Sequence, residues 1–173
     1  MPHSGTQRPD LPAFVTVRNG PFRDVSKPTI RLWANRMLLE LGLDEAELSI
    51  ALTDDEEIHE LNRVFRHRDR PTDVLAFAMR EGEPIGAHPV LDAANSRPEM
   101  LGDVVVSVET ARRQAARRGR ALERELCELL AHGLLHLVGY DHQTQDETRE
   151  MGKETRRLCR AAVAQSRAVR VRR

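Results

Sequence analysis

Three of the seven histidines in this 173-residue chain fall within HGLLHLVGYDH, residues 132–142, and two of them, His132 and His136, stand four apart. On a helix that spacing puts the pair one turn apart along the axis and about 40° around it, so both imidazoles can converge on one point. Gly139 stands where a left-handed C-terminal cap ends such a helix, and a reversal through Tyr140 and Asp141 brings His142 back over the same spot. Three imidazoles from a helix and its following turn form a tripod whose fourth tetrahedral position is open, which is the arrangement of a catalytic zinc. The residue types thus predict one Zn2+ per chain on His132, His136 and His142, with nickel or cobalt as possible replacements.

The first two histidines also share the spacing of the helical zinc proteases, in which a glutamate directly after the first histidine accepts the proton of the attacking water. Here that position is Gly133. A bound metal still lowers the pKa of water to about 7, but the proton acceptor is gone. Its loss points away from peptide cleavage and towards phosphoryl chemistry, where cationic help matters more. Equally, a glycine there lets a neighbouring segment approach the helix closely. Cations are at hand in LNRVFRHRDRPTDVLAF, residues 61–77, which gathers Arg63, Arg66, Arg68 and Arg70 around a helix end and the turn after it. The guanidinium fork suits phosphate, although each of these arginines also reads as an ordinary surface residue. Asp73 in the same block either orients a neighbour or caps the turn.

Composition narrows the function classes. The residues are 40% apolar and 31% charged, and aromatic residues make up only 3%, which disfavours an aromatic base-stacking platform. Formal net charge is zero, yet residues 112–124 carry six arginines against one glutamate, and the final seven residues carry four more arginines. Such blocks permit contact with nucleic acid without requiring it. Arg112, Arg113, Arg117 and Arg118 join Arg63 and Arg68 as candidate RNA-binding residues. A solvated helix face is the alternative. Two cysteines form no disulfide framework, and Cys127, about 140° around the helix from His132, reads as a packed thiol rather than a ligand. No apolar run reaches the ~20 residues of a membrane span. A cytoplasmic protein with no membrane partner is expected.

The elements that must carry these residues alternate. Phe14 to Val17 reads as a strand, and the apolar spacing from Pro28 to Leu41 predicts a helix that Gly42 ends. Leu48, Ile50 and Leu52 alternate along a second strand. Thr53 and Glu56 are read as a capping box opening a helix whose buried side is Ile58, Leu61, Val64 and Phe65. Strands follow at 74–79 and 103–108, separated by a Gly- and Pro-rich loop at 80–100. Helices are expected over about 109–118, 121–138 and 144–165, with Leu122, Leu126, Leu129, Leu130 and Leu137 as the buried stripe of the second. This is an α/β (α+β-like) pattern: a small four-stranded mixed sheet packed with about five helices, with the metal site at one helix end and the turn after it. Residues 1–12 read as a flexible N-terminal arm, 13–165 as a single domain and 166–173 as a basic C-terminal tail.

HGLLHLVGYDH, LNRVFRHRDRPTDVLAF and LGDVVVS (101–107), in that order and spacing, resemble the YbeY family of bacterial endoribonucleases and rRNA maturation factors. The resemblance spans about residues 48–158. It implies a single α/β domain with one zinc on three histidines, here His132, His136 and His142, and an arginine important for activity at Arg66. It further implies metal-dependent cleavage of single-stranded RNA in small-subunit (16S) rRNA maturation and ribosome quality control. The implied partners are the rRNA precursor, the small ribosomal subunit and its assembly factors. The chain departs from the family pattern at Phe65, where tyrosine is usual, and at Ala76 and Ala78, where serine and proline are usual. Two other readings stand beside this one: a metal-dependent amide or peptide hydrolase, and a non-catalytic, zinc-stabilised ribosome-assembly factor.

Overall fold

The computed structural model describes residues 13–79 and 99–168; the proposed N-terminal arm, nearly all of the 80–100 loop and the end of the basic tail lie outside them. Four strands, β1 (Ala13–Val17), β2 (Glu47–Thr53), β3 (Val74–Ala78) and β4 (Met100–Ser107), form one sheet in the order β1-β2-β4-β3. The first three of that order run parallel, and β3 is an antiparallel edge strand. Five helices complete the described residues: α1 (Lys27–Glu40), α2 (Asp55–Arg66), α3 (Val108–Arg117), α4 (Leu122–Leu137) and α5 (Gln145–Ala168). The expected mixed four-stranded sheet with five helices is therefore the observed one.

Strand alternation sorts the core into two layers. Leu48, Ile50 and Leu52 of β2 and Val104 and Val106 of β4 face the main core, shared with α1, α4 and α5. Ala51 and Val105 face the other way, onto Ile58 and Leu61 of α2 with Leu75 and Phe77 of β3. Helix α4 lies between the sheet and α5 and is buried on most of its circumference, not only along the predicted leucine stripe.

Two local expectations shift. Strand β2 runs through Thr53, which pairs with Ser107, so the cap of α2 moves one residue on: the Asp54 side chain accepts from the backbone of Glu57, and Thr53 donates to the Glu57 carboxylate. Val64 and Phe65 are not core residues, Phe65 being 60% exposed. Only the first two turns of α2 cover the sheet; beyond its edge, the ring of Phe65 meets Phe77 edge to face at 5.3 Å. Strand β4 also starts earlier than expected, at Met100, because Leu101 is an extra residue between the pairs Glu47–Met100 and Leu48–Gly102.

Gly102 at this bulge has φ +141°, and a Cβ there would lie 2.1 Å from the carbonyl oxygen of Phe77. Both the backbone angle and the clash with a neighbouring strand demand glycine. Gly102→Ala is expected to destabilise the protein by about 3 kcal/mol or more, measurable as a lowered urea midpoint. An unchanged midpoint would show that the bulge relaxes freely.

Candidate functional site

Helix α4 ends in a Schellman motif: Gly139 N–H donates to the His136 carbonyl, Tyr140 N–H donates to the Leu135 carbonyl, and Gly139 takes φ +95°. The reversal carries His142 back over the helix end, as the glycine implied. Asp141 fixes the returning loop by accepting from the backbone N–H of His142 at 2.7 Å and from the Gln143 amide at 2.6 Å. The three imidazoles stand together, with ring centroids 4.7 Å apart for His132 and His136, 5.7 Å for His132 and His142, and 5.1 Å for His136 and His142. One ligand nitrogen from each lies within 4.8 Å of the others.

These residues fit a metal ion. Two nitrogens about 2.05 Å from one ion at the tetrahedral angle stand about 3.3 Å apart, and the Nε2 atoms of His132 and His136 are 3.2 Å apart. Their electrostatics agree. Burial, then the neighbouring His136 and His142, depress the pKa of His132 to about 4, opposed by Asp73; burial and His142 lower that of His136. Both are thereby held neutral, the form that ligates. The imidazole of His136 is also hydrogen-bonded to the Tyr140 backbone, an orienting contact of the kind that fixes which ring nitrogen faces the metal. Asp73 resolves into a turn cap: its carboxylate accepts from the Val74 backbone and the Gln114 amide, and it lies near enough to His132 to oppose the lowering of its pKa.

The depressed pKa values carry a pH prediction for the metal-free protein. Above pH 6.5 the two imidazoles are neutral in folded and unfolded chains alike, so they cost nothing. As pH falls from 6.5 towards 4 the unfolded chain takes up protons that the fold refuses, and stability is lost across that window. Melting temperatures measured with chelator from pH 8 to 4 should fall through this range. A flat profile would contradict the crowding of the imidazoles.

Gly133 has a packing reason. It is buried, and a Cβ there would lie 2.6 Å from Val104 Cγ1 and 3.1 Å from Val74 Cγ2. The glycine lets α4 seat on the sheet, and a glutamate would be driven into these valines. The residue that reads as a missing base thus says nothing about the reaction.

Arg66 faces the same groove as the histidines. A cavity of about 740 Å³ is lined by His136 and His142 on one side and by Arg66, Arg68 and Arg70 on the other, with Tyr140 at the turn. Arg66 donates to the Ala76 carbonyl at 2.7 Å, on the free edge of β3, and its guanidinium stands 5.9 Å from the Phe77 ring centroid. One bond on a five-donor fork steadies the side chain and leaves donors for a ligand. Asn62, buried under this loop, donates to the Arg70 carbonyl and accepts the Arg68 N–H through its own carbonyl, so the arginine loop is tied to α2. Arg70 and Tyr140 line the groove as well, although neither stood out in the sequence beyond a charged block and a turn.

The other candidate arginines lie apart from this groove lining. Arg63 pairs with Glu60 at 2.6 Å on the exposed side of α2. Arg112 pairs with Asp24, Arg113 with Asp55 at 2.7 Å and Arg118 with Glu125 at 2.6 Å, while Arg117 is exposed on α3. Much of the apparent cationic block is thus met by acids within the fold. Cys127 is buried beside Cys159 and belongs to no metal-ligating cluster among the described residues. No helix among them is long and apolar enough to cross a membrane.

Comparison with known proteins gives a consistent result. A family model described as Endoribonuclease YbeY matches residues 18–162. An Endoribonuclease YbeY of Aquifex aeolicus is 45% identical over 132 residues, covering 76% of this chain and 80% of the relative. One from a Synechococcus strain is 47% identical over 139 residues, covering 79% and 82%. The solution structure of a Thermotoga maritima protein superposes with a TM-score of 0.60 at 23% identity, covering 90% of this chain and 93% of that one, which supports the fold.

Proposed function

We propose, since the chain belongs to the YbeY family of endoribonucleases, that it is a zinc-dependent, single-strand-specific endoribonuclease acting in small-subunit rRNA maturation and ribosome quality control. The observation that carries this reading is the cluster of three imidazoles, two of which, His136 and His142, line one groove with Arg66. Residues 13–165 would act as one catalytic domain, in the cytoplasm, on an rRNA precursor with the small subunit and its assembly factors as partners.

His132, His136 and His142 would hold the ion, which supplies Lewis acidity towards a phosphate oxygen or an attacking water when bound. The chain's own contribution is binding and charge. Arg66, steadied by Ala76, would receive the scissile phosphate and stabilise the negative charge that grows on it. Arg68 and Arg70 would hold flanking phosphates along the groove. The groove runs beside β3, with Val74, Ala76 and Ala78 in its lining.

Arg66→Ala tests the assignment. Cleavage of a single-stranded RNA should fall by about 10²–10³-fold while metal content and melting temperature stay near those of the parent. Duplex RNA of the same sequence should resist the parent enzyme. Cleavage at the parental rate by the variant, or in the presence of excess chelator, would refute the assigned roles. Mapping the new ends as cyclic phosphate or plain 3′-hydroxyl then distinguishes attack by the neighbouring 2′-hydroxyl from attack by water.

A further inference from the structure

On the far side of α4 from the arginine groove, a second cavity of about 540 Å³ opens between α1, α4 and α5, and the chain's two cysteines both line it. Cys127 of α4 is buried in the main core, and Cys159 of α5 is half-buried against that core. The cavity reaches solvent past Arg124, whose side chain is 70% exposed, and past the exposed Val163. Trp33 and Glu128 complete the wall near the sulfurs. Nothing in the metal-site chemistry uses this pair.

We infer that Cys127 and Cys159 form a peroxide-sensitive thiol pair that closes reversibly to an intramolecular disulfide. The two sulfurs share the wall of this cavity, close enough for each to shift the proton affinity of the other. The neighbouring Cys127 thiol, with Arg120 and Arg124 nearby, holds Cys159 below the ordinary thiol range against opposing burial and Glu128. Cys159, together with burial, pushes Cys127 up. One sulfur is therefore the more nucleophilic and accessible, and the other is protonated beside it, which is the division of labour between an attacking and a resolving cysteine.

The steps balance with a hydroperoxide as oxidant. The Cys159 thiolate attacks a peroxide oxygen; the O–O bond breaks, a sulfenic acid forms on Cys159, and the departing hydroxide takes up a proton to become water. The Cys127 sulfur then attacks the sulfenic sulfur; the S–S bond forms, the S–O bond breaks, and the released hydroxide leaves as a second water with the Cys127 proton. The peroxide is reduced by two electrons, one from each sulfur, and a dithiol reductant restores both thiols. The consequence lies in the chain path. Residues 127 to 159 include His132, His136 and His142, so the bond would staple the two ends of the segment that carries all three imidazoles.

The test uses the full-length protein under native conditions, treated with stoichiometric hydrogen peroxide, quenched by thiol alkylation, digested and mapped by mass spectrometry. The expected product is a monomer lighter by two hydrogens, with the Cys127 and Cys159 peptides linked and released by dithiothreitol. Its melting temperature should exceed that of the reduced protein by several degrees. Cys127→Ser should stop at a sulfenic acid on Cys159, trapped by dimedone. Cys159 oxidised to sulfinic acid without linkage in the wild-type chain, linkage only between chains, or linkage only after denaturant would each overturn the inference. The wild-type map decides even where the serine variant fails to fold.

Discussion

Replacing His136 with alanine is expected to remove both the metal and the activity while leaving the fold in place. His136 is the middle member of the cluster: its Nε2 lies 3.2 Å from that of His132, and its ring is edge-on to those of both other histidines. Two imidazoles from one rigid helix set the metal position, and removing the one nearest the turn leaves His132 deep in the site with only the loop-borne His142 opposite. Metal content should drop from about one ion per chain to near none, since a two-nitrogen site without further protein ligands binds weakly. RNA cleavage should fall about a thousandfold or more, which is roughly 4 kcal/mol of transition-state stabilisation. His136 is only partly buried and sits at the helix end, so melting of the metal-free variant should differ little from that of the metal-free parent. His142→Ala leaves a two-nitrogen site as well and should lose the metal in the same way. Inductively coupled plasma analysis beside a gel assay on single-stranded RNA reads both quantities. A His136→Ala protein that retains full metal occupancy would remove the tripod from the proposal, and one that loses metal but still cleaves would remove the metal from catalysis.

What was legible in the sequence was what is local. The four-residue histidine spacing, the glycine after the helix and the returning third histidine all act within eleven residues, and the Schellman turn places them as the spacing implied. The strands and helices were legible for the same reason, since period two and period 3.6 are properties of a single segment. Contacts across the fold were not. Gly133 invited a chemical reading because its nearest neighbours, Val104 and Val74, come from strands about 30 and 60 residues back in the chain. Val64 and Phe65 kept the helical period, but the period cannot say where the sheet beneath a helix ends. The arginine run looked like an unbalanced cationic face because Asp24 and Asp55, which neutralise Arg112 and Arg113, lie far upstream. Arg66 was marked by resemblance alone; its approach to the histidines depends on β3 pairing antiparallel at the sheet edge, beside α4.

The same run contains the strongest stability prediction, and its signature is an asymmetry. Glu125, in the first turn and a half of α4, is 0% exposed, and its two oxygens accept from Arg118 at 2.6 Å and Arg120 at 2.7 Å. Arg120 goes on to clamp Glu128 through two further bonds at 2.9 and 2.7 Å. Helix α4 has no side-chain cap, so this buried carboxylate near the positive end of the helix dipole is also part of what anchors its N-terminus. A buried charge costs most when its partner is removed, and much less when the charge itself is removed. Arg120→Ala should therefore lower stability by about 3–5 kcal/mol, or roughly 10 °C in melting temperature for a chain of this size. Arg118 is 54% exposed, so Arg118→Ala should cost far less, within about 1 kcal/mol. Glu125→Leu removes the buried charge and fills the space with apolar atoms. It should cost less than Arg120→Ala, and adding it to Arg120→Ala should recover part of the loss, because the double variant no longer buries an unpaired carboxylate. Metal content should be unchanged in all of these proteins, since the pair lies at the opposite end of α4 from His132 and His136. Chemical denaturation of the four variants reads the cycle. Arg120→Ala costing no more than Arg118→Ala would mean that water reaches Glu125 and that the arginines only decorate it. A double variant no more stable than Arg120→Ala would place the loss in Glu128, whose clamp neither leucine nor alanine restores.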